Sequence, residues 1–178
     1  MTQEQPSGDP DPLSLGSDEH LVLRSVTADA IEVEARYEPG GRLPPVHWHP
    51  AQDEHVEVLQ GELTVRLNGQ QRTVPAGQSV DVAAGTEHQT WNAGTTEARV
   101  VWLTTPPLRT QEWFAEVARH RSSGRDGILA MAPTLWRYRH EFRPSGRLPR
   151  PVMTGVIAVL AGVETTRERV TRRLTRRR

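Results

Sequence analysis

The sequence predicts a mainly β protein, an antiparallel sandwich or barrel with a C-terminal α-helical extension. Three observations carry that expectation. From residue 21 to about residue 104 apolar and polar side chains alternate with period two, the mark of strands with one buried face. Glycine- and proline-bearing turn signals interrupt the alternation at short intervals, with no helical pattern between them. Beyond residue 105 the pattern becomes that of amphipathic helices and the charge reverses. Residues 1–104 carry 16 acidic side chains and 6 arginines, a balance of −10, whereas residues 105–178 carry 16 arginines and 6 acids, a balance of +10.

A chain of 178 residues accommodates one domain plus appendages. It contains no cysteine, which excludes disulfides, iron–sulfur clusters and thiolate zinc sites. Any metal must therefore be held by nitrogen and oxygen. Residues 1–20, rich in Pro, Gly, Ser and Asp, read as a disordered lead-in, and their lack of basic residues and of an apolar run does not fit a secretory signal. A cytoplasmic location is the expectation. The longest apolar run, 12 residues from Val152 to Val163, is interrupted by Thr154, Gly155 and Gly162. It falls short of the ~20 residues a spanning helix needs.

The elements follow in order. Ile31, Val33, Ala35 and Tyr37 point to one face while Glu32, Glu34, Arg36 and Glu38 point to the other. Leu63, Val65 and Leu67 repeat the pattern up to Asn68-Gly69, a strong hairpin signal, and Val80 and Val82 continue it. Ala98–Thr104 is apolar on both faces and is expected to be covered on both sides. A barrel over residues 21–105 then gives way to a helical extension over 106–163 and an arginine-rich tail over 164–178. In the extension, Thr110 to Arg121 reads as a helix with Thr110 at its N-cap and an apolar stripe of Trp113, Phe114, Val117 and Ala118. Asp126–Met131 and Pro133–Phe142 read as a second helical stretch, 143–151 as a linker, and Pro151 as the start of a last helix.

The chemistry concentrates in H-W-H-P-A-Q-D-E, residues His47 to Glu54. On a strand, His47 and His49 project to one face, where their ring nitrogens can converge on a single ion. Glu54 lies at an odd offset, but Pro50 ends the strand and lets the chain return with Glu54, Val56 and Val58 facing inward and His55 and Glu57 outward. Trp48 and Trp91 alternate with inward residues and are expected to cover the outside or a subunit contact. Glu87 reads as a solvated turn residue.

At these residues the sequence resembles the cupins. Gly41, His47, His49, Glu54 and Gly61 match the fixed positions of the first cupin motif, and Gly77, Gly85, His88 and Asn92 match the second, with Ala83 where a proline is usual. Fifteen residues separate the motifs, and the resemblance covers roughly residues 30–104. It implies a double-stranded β-helix (jelly-roll) barrel in which His47, His49, Glu54 and His88 bind one divalent metal. Three imidazoles and one carboxylate suit Fe, Mn, Ni or Zn. Open positions for substrate or dioxygen remain only if the ion is five- or six-coordinate.

Two functions follow as expectations. One is a metal-dependent enzyme acting on a small organic molecule, dioxygenase- or isomerase-like, with Arg99 as a candidate for orienting an anionic substrate. The other is a non-catalytic ligand- or metal-sensing module whose basic extension contacts a partner or, peripherally, an anionic membrane surface. A homodimer, the usual cupin association, is expected. Nucleic acid is disfavoured, because the positive half has no helix-turn-helix pattern and few aromatics to stack on bases.

Overall fold

A computed structural model describes residues 13–15, 18–125 and 127–175. The lead-in before residue 13 and the last three arginines lie outside the described residues. The strands are β1 (Leu13–Ser14), β2 (Glu19–Val26), β3 (Ile31–Tyr37), β4 (His47–Trp48), β5 (Asp53–Gln60), β6 (Glu62–Leu67), β7 (Gln70–Pro75), β8 (Ser79–Val82), β9 (His88–Trp91), β10 (Ala98–Thr105) and β11 (Arg143–Pro144). The helices are α1 (Thr110–Ser122), α2 (Ile128–Arg137) and α3 (Arg150–Thr175).

The strands form two antiparallel sheets, β1-β2-β3-β10-β5-β8 and β11-β4-β9-β6-β7. Their facing sides make the core. Ile31, Val33, Ala35, Val56, Val58 and Val100 of the first sheet and Leu63, Val65 and Val74 of the second are almost wholly buried. Each such valine, leucine or isoleucine contributes roughly 1.5–3 kcal/mol by leaving water. Asn68-Gly69 joins β6 to β7 with both residues at positive φ, 47° and 85°, the conformation a tight hairpin demands. Gly61 is required by close approach: a Cβ there would lie 2.3 Å from the Glu97 carbonyl oxygen, and its φ is +70°. Asn92 is fully buried, and its side-chain amide donates to the Tyr37 and Thr96 carbonyls while its oxygen accepts from the Gly94 N–H. That network fixes the turn after β9.

Several expectations are corrected. Sheet structure begins at Leu13, ahead of residue 21, because Leu13 and Ser14 pair with Leu21 and His20 and Leu15 is buried. The outer face of β10 is only partly covered, and Leu103 remains 37% exposed. Arg109, not Thr110, precedes α1 as its N-cap; the Thr110 hydroxyl instead accepts from the Gln52 amide at 2.8 Å. The second helical stretch contracts to α2, which contains Pro133 one turn in, at the loss of a single backbone bond. The segment read as a linker contributes β11, whose Arg143 and Pro144 pair with Trp48 and His47. No break separates extension from tail, since α3 runs continuously from Arg150 to Thr175. Among the described residues no helix is long and apolar enough to cross a membrane.

Candidate metal centre

β4, β5 and β9 bring His47, His49, Glu54 and His88 to one mouth of the barrel. His47 lies directly across from His88 in the β4–β9 ladder, and the ring centroids of the three histidines are 4.2, 5.2 and 5.1 Å apart. One ligand nitrogen from each falls within 4.8 Å of the others. Glu54 is placed by its pairing with Val82 and Thr104. Its two oxygens lie 3.3 Å from His49 Nε2 and 3.2 Å from His88 Nε2.

The orientation of each ring is set from behind. Nδ1 of His47 faces the Pro45 carbonyl at 3.0 Å, that of His49 the Glu141 carbonyl at 2.5 Å, and that of His88 the Thr86 carbonyl at 3.0 Å. A carbonyl oxygen only accepts, so each Nδ1 carries hydrogen and donates. The Nε2 lone pairs of neutral rings are thereby turned to the centre, where those of His49 and His88 meet the Glu54 carboxylate. Acceptor then faces acceptor, and His49 Nε2 is buried without a hydrogen-bond partner. Such an arrangement calls for a cation between the groups, either a shared proton or a metal ion. The residues present therefore fit a divalent metal, and the carbonyl behind each imidazole is the outer shell such ligands use.

The electrostatics agree. Burial pushes His47 well below its ordinary value, and the neighbouring His88 and His49 push the same way. Burial opposes ionisation of Glu54, but His49 and His88 outweigh it and draw the carboxyl down to about 2. Burial would also lower His88, yet the hydrogen bond and charge of Glu54 raise it. For metal-free protein the signs follow by linkage. His47 and Glu54 titrate lower in the fold than in the open chain, so their stabilisation is present above 6.5 and 4.5 and is lost as pH falls. His88 acts oppositely, its contribution fading as pH rises through its elevated value. Thermal melts of chelator-stripped protein should show the melting temperature falling as the pH drops from 4.5 towards 2, where Glu54 takes up its proton.

The other sequence candidates lie elsewhere. Arg99 sits on the outer face of β10 and pairs with Glu34, which Arg24 also contacts at 2.7 Å. It is not brought to the histidines, a correction to its expected substrate role: its register on the strand turns it away from the interior. His55 bonds Asp81 at 2.6 Å on the outside. Trp48 is covered by the chain's own Arg143 and Arg150, and Trp91 by Arg66. Glu87 is no free turn residue, because it accepts from the Ser145 hydroxyl at 2.8 Å and pairs with Arg150, tying the extension to the barrel.

Other contributors carry no sequence signal that ties them to the site. Besides the Glu141 carbonyl, Phe142 stacks on His47 at 4.6 Å and, on its other side, on Trp113 at 4.7 Å. Phe114 and Trp102 extend this aromatic wall, and Trp102 in turn lies 6.1 Å from Tyr37. The Tyr37 hydroxyl is sealed from water and completes no hydrogen bond. Burial raises its strand partner Glu19 to about 7, against the opposing charge of Arg121. The extension thus forms one side of the mouth.

Fold and centre together define a small two-sheet barrel with a histidine–carboxylate cluster at one end. A family model described as Cupin domain matches residues 33–104, and the barrel that these residues build has the cupin fold. The barrel superposes on KdgF from Halomonas sp. with a TM-score of 0.53 at 20% identity, over 57% of this chain and 93% of that one. An RmlC-like cupin from Shewanella frigidimarina gives 0.52 at 18% identity, over 62% and 99%. In sequence, the tetracenomycin polyketide synthase protein TcmJ of Streptomyces glaucescens is 33% identical over 60 residues, 34% of this chain and 40% of that protein. The polyketide synthase CurC of Streptomyces cyaneus is 33% identical over 94 residues, covering 51% and 60%. A probable oxidoreductase, yanE of Aspergillus niger, is 34% identical over 65 residues, covering 36% and 24%. The chain thus spans between about a quarter and 60% of the length of these curated relatives.

Proposed function

We propose that the protein holds one divalent transition metal on His47, His49, Glu54 and His88 and acts on a small organic molecule at the barrel mouth. The single observation behind this reading is the trio of clustered imidazoles whose Nδ1–H groups are committed to carbonyls, with the Nε2 atoms of His49 and His88 turned on the Glu54 carboxylate. A metal bound there supplies Lewis acidity or redox capacity. The chain's own residues do the rest. Glu54 offsets the ion's charge, the carbonyls hold the rings, and Phe142 with Trp113 backs His47 with an apolar wall on one side of the mouth. Relatives named as a probable oxidoreductase and as polyketide synthase proteins support an enzyme working on a small organic molecule.

The test begins with elemental analysis of protein purified without an affinity tag. It continues with turnover of aromatic and polyketide-type compounds by metal-loaded and chelator-stripped samples. Turnover equal in both samples would defeat the proposal.

A second reading, a metal- or ligand-sensing module, is favoured by one contact: a carbonyl of the extension orients His49. Occupancy of the centre is then coupled to the position of the helices. Phe142→Ala, which loosens this contact and removes the ring stacked on His47 while leaving all four proposed ligands in place, is expected to lower metal affinity about 10-fold, within the range seen for outer-shell changes. Competition with a chromogenic chelator measures it, and unchanged affinity would remove the basis for coupling.

A further inference from the structure

α3 is apolar on two sides. Ile157, Ala161 and Glu164 lie on the side that packs towards α2, at 6, 5 and 4% exposure, with Glu164 paired to Arg125. Val152, Val156, Val159 and Val163 form a second strip about 60° wide and roughly 135° away around the helix. They are 48, 39, 66 and 54% exposed. A helix with apolar surface on opposite sides is one that both sides bury. The 4-3-4 spacing is that of the a and d positions of a heptad, the apolar seam along which helices pair. Gly155 and Gly162 flank the strip, and a Cβ on either would meet nothing within 4 Å, which leaves room for a second backbone to come close.

We propose that this valine strip is the surface through which two copies of the chain pair, α3 against α3 and antiparallel. Charge decides both the occupant and the direction. Residues 105–178 carry +10, so parallel helices would set the two arginine-rich C-terminal halves side by side. Antiparallel pairing separates them and carries each towards the other copy, whose residues 1–104 carry −10. A second copy therefore supplies a matching strip and an opposite charge. A lipid surface fits less well, since interfacial helices bury Trp, Phe and Leu whereas this strip is Val and Gly. At 26 residues the helix is about 39 Å long. One helix face of that length falls short of the ~800 Å² per partner of a standard interface, so the pair should dissociate on dilution.

The cysteine-free chain makes the test direct. In an antiparallel pair centred on the strip, the two copies of residue 159 lie ~5 Å apart along the axis and those of residue 152 ~16 Å, against the ~7 Å limit between Cα atoms that a disulfide tolerates. Full-length Val159→Cys should cross-link to a covalent dimer under mild oxidation, and Val152→Cys should not. Wild-type protein should sediment as a dimer that dissociates on dilution. Val156→Glu with Val159→Glu should sediment as a monomer with unchanged circular dichroism. The proposal is overturned if both cysteine variants cross-link, if neither does, or if the double variant remains dimeric. It also falls if wild-type protein is monomeric throughout and pellets with phosphatidylserine vesicles.

Discussion

Replacing His88 by alanine is expected to lower bound metal from about one ion per chain to less than about a tenth, the largest change any single substitution should produce at this centre. His88 is 2% exposed, stands across the ladder from His47 and faces Glu54. Its removal takes away one nitrogen and also uncovers a buried carboxylate, and breaking such a pair costs roughly 3–5 kcal/mol. Glu54 should then lose its low titration and protonate more readily, because His88 is among the groups that draw it down. The melting temperature is therefore expected to fall together with metal content. His47→Gln separates the two effects, since it removes a nitrogen while keeping volume and polarity next to Phe142. Inductively coupled plasma spectrometry with thermal melts measures both. Stoichiometric metal in both variants would place the ion elsewhere.

Gly61→Ala should destabilise the barrel by roughly 3 kcal/mol or more without touching the centre. Two penalties coincide there. A side chain at φ +70° is strained, and the new Cβ would fall 2.3 Å from the Glu97 carbonyl, a backbone atom that cannot swing aside. Gly69 and Gly77 provide the contrast, with similar positive φ but open space around the added carbon. Alanine there should cost only the conformational penalty, about 1–2 kcal/mol. Urea titrations of the three variants would rank them, and equal losses would show that close approach contributes nothing at Gly61.

What could be read before the structure follows from what patterns encode. Period-two alternation assigns faces, so Val56 and Val58 were placed inward beside Glu54, as they stand. Spacing between motif residues placed four potential ligands within reach of one another. Parity is blind to partners, however. It placed Arg99 beside Val101 and Leu103 but could not reveal Glu34 across the ladder, which occupies its guanidinium. A two-residue strand such as β11 is too short for any alternation to register, and its proline, with Pro149 and Pro151 beyond it, argued for a linker. The Glu141 carbonyl was invisible for a deeper reason: every residue has one, so no residue type announces that this one faces His49. Phe142 went unmarked because it stands at the end of a stretch read as helical, where no period ties it to the histidines.

The bond between His49 and Glu141 joins positions 92 apart in the chain. As the polypeptide leaves the ribosome, the cluster's side chains are all present once His88 has emerged. The peptide group that steadies one of them arrives some fifty residues later, and β11, which closes the edge beside His47, comes after that. Nascent protein therefore passes through an interval in which His49 lacks the carbonyl that aims it. Metal acquisition should be a late event, completed when the final third of synthesis folds back onto the first.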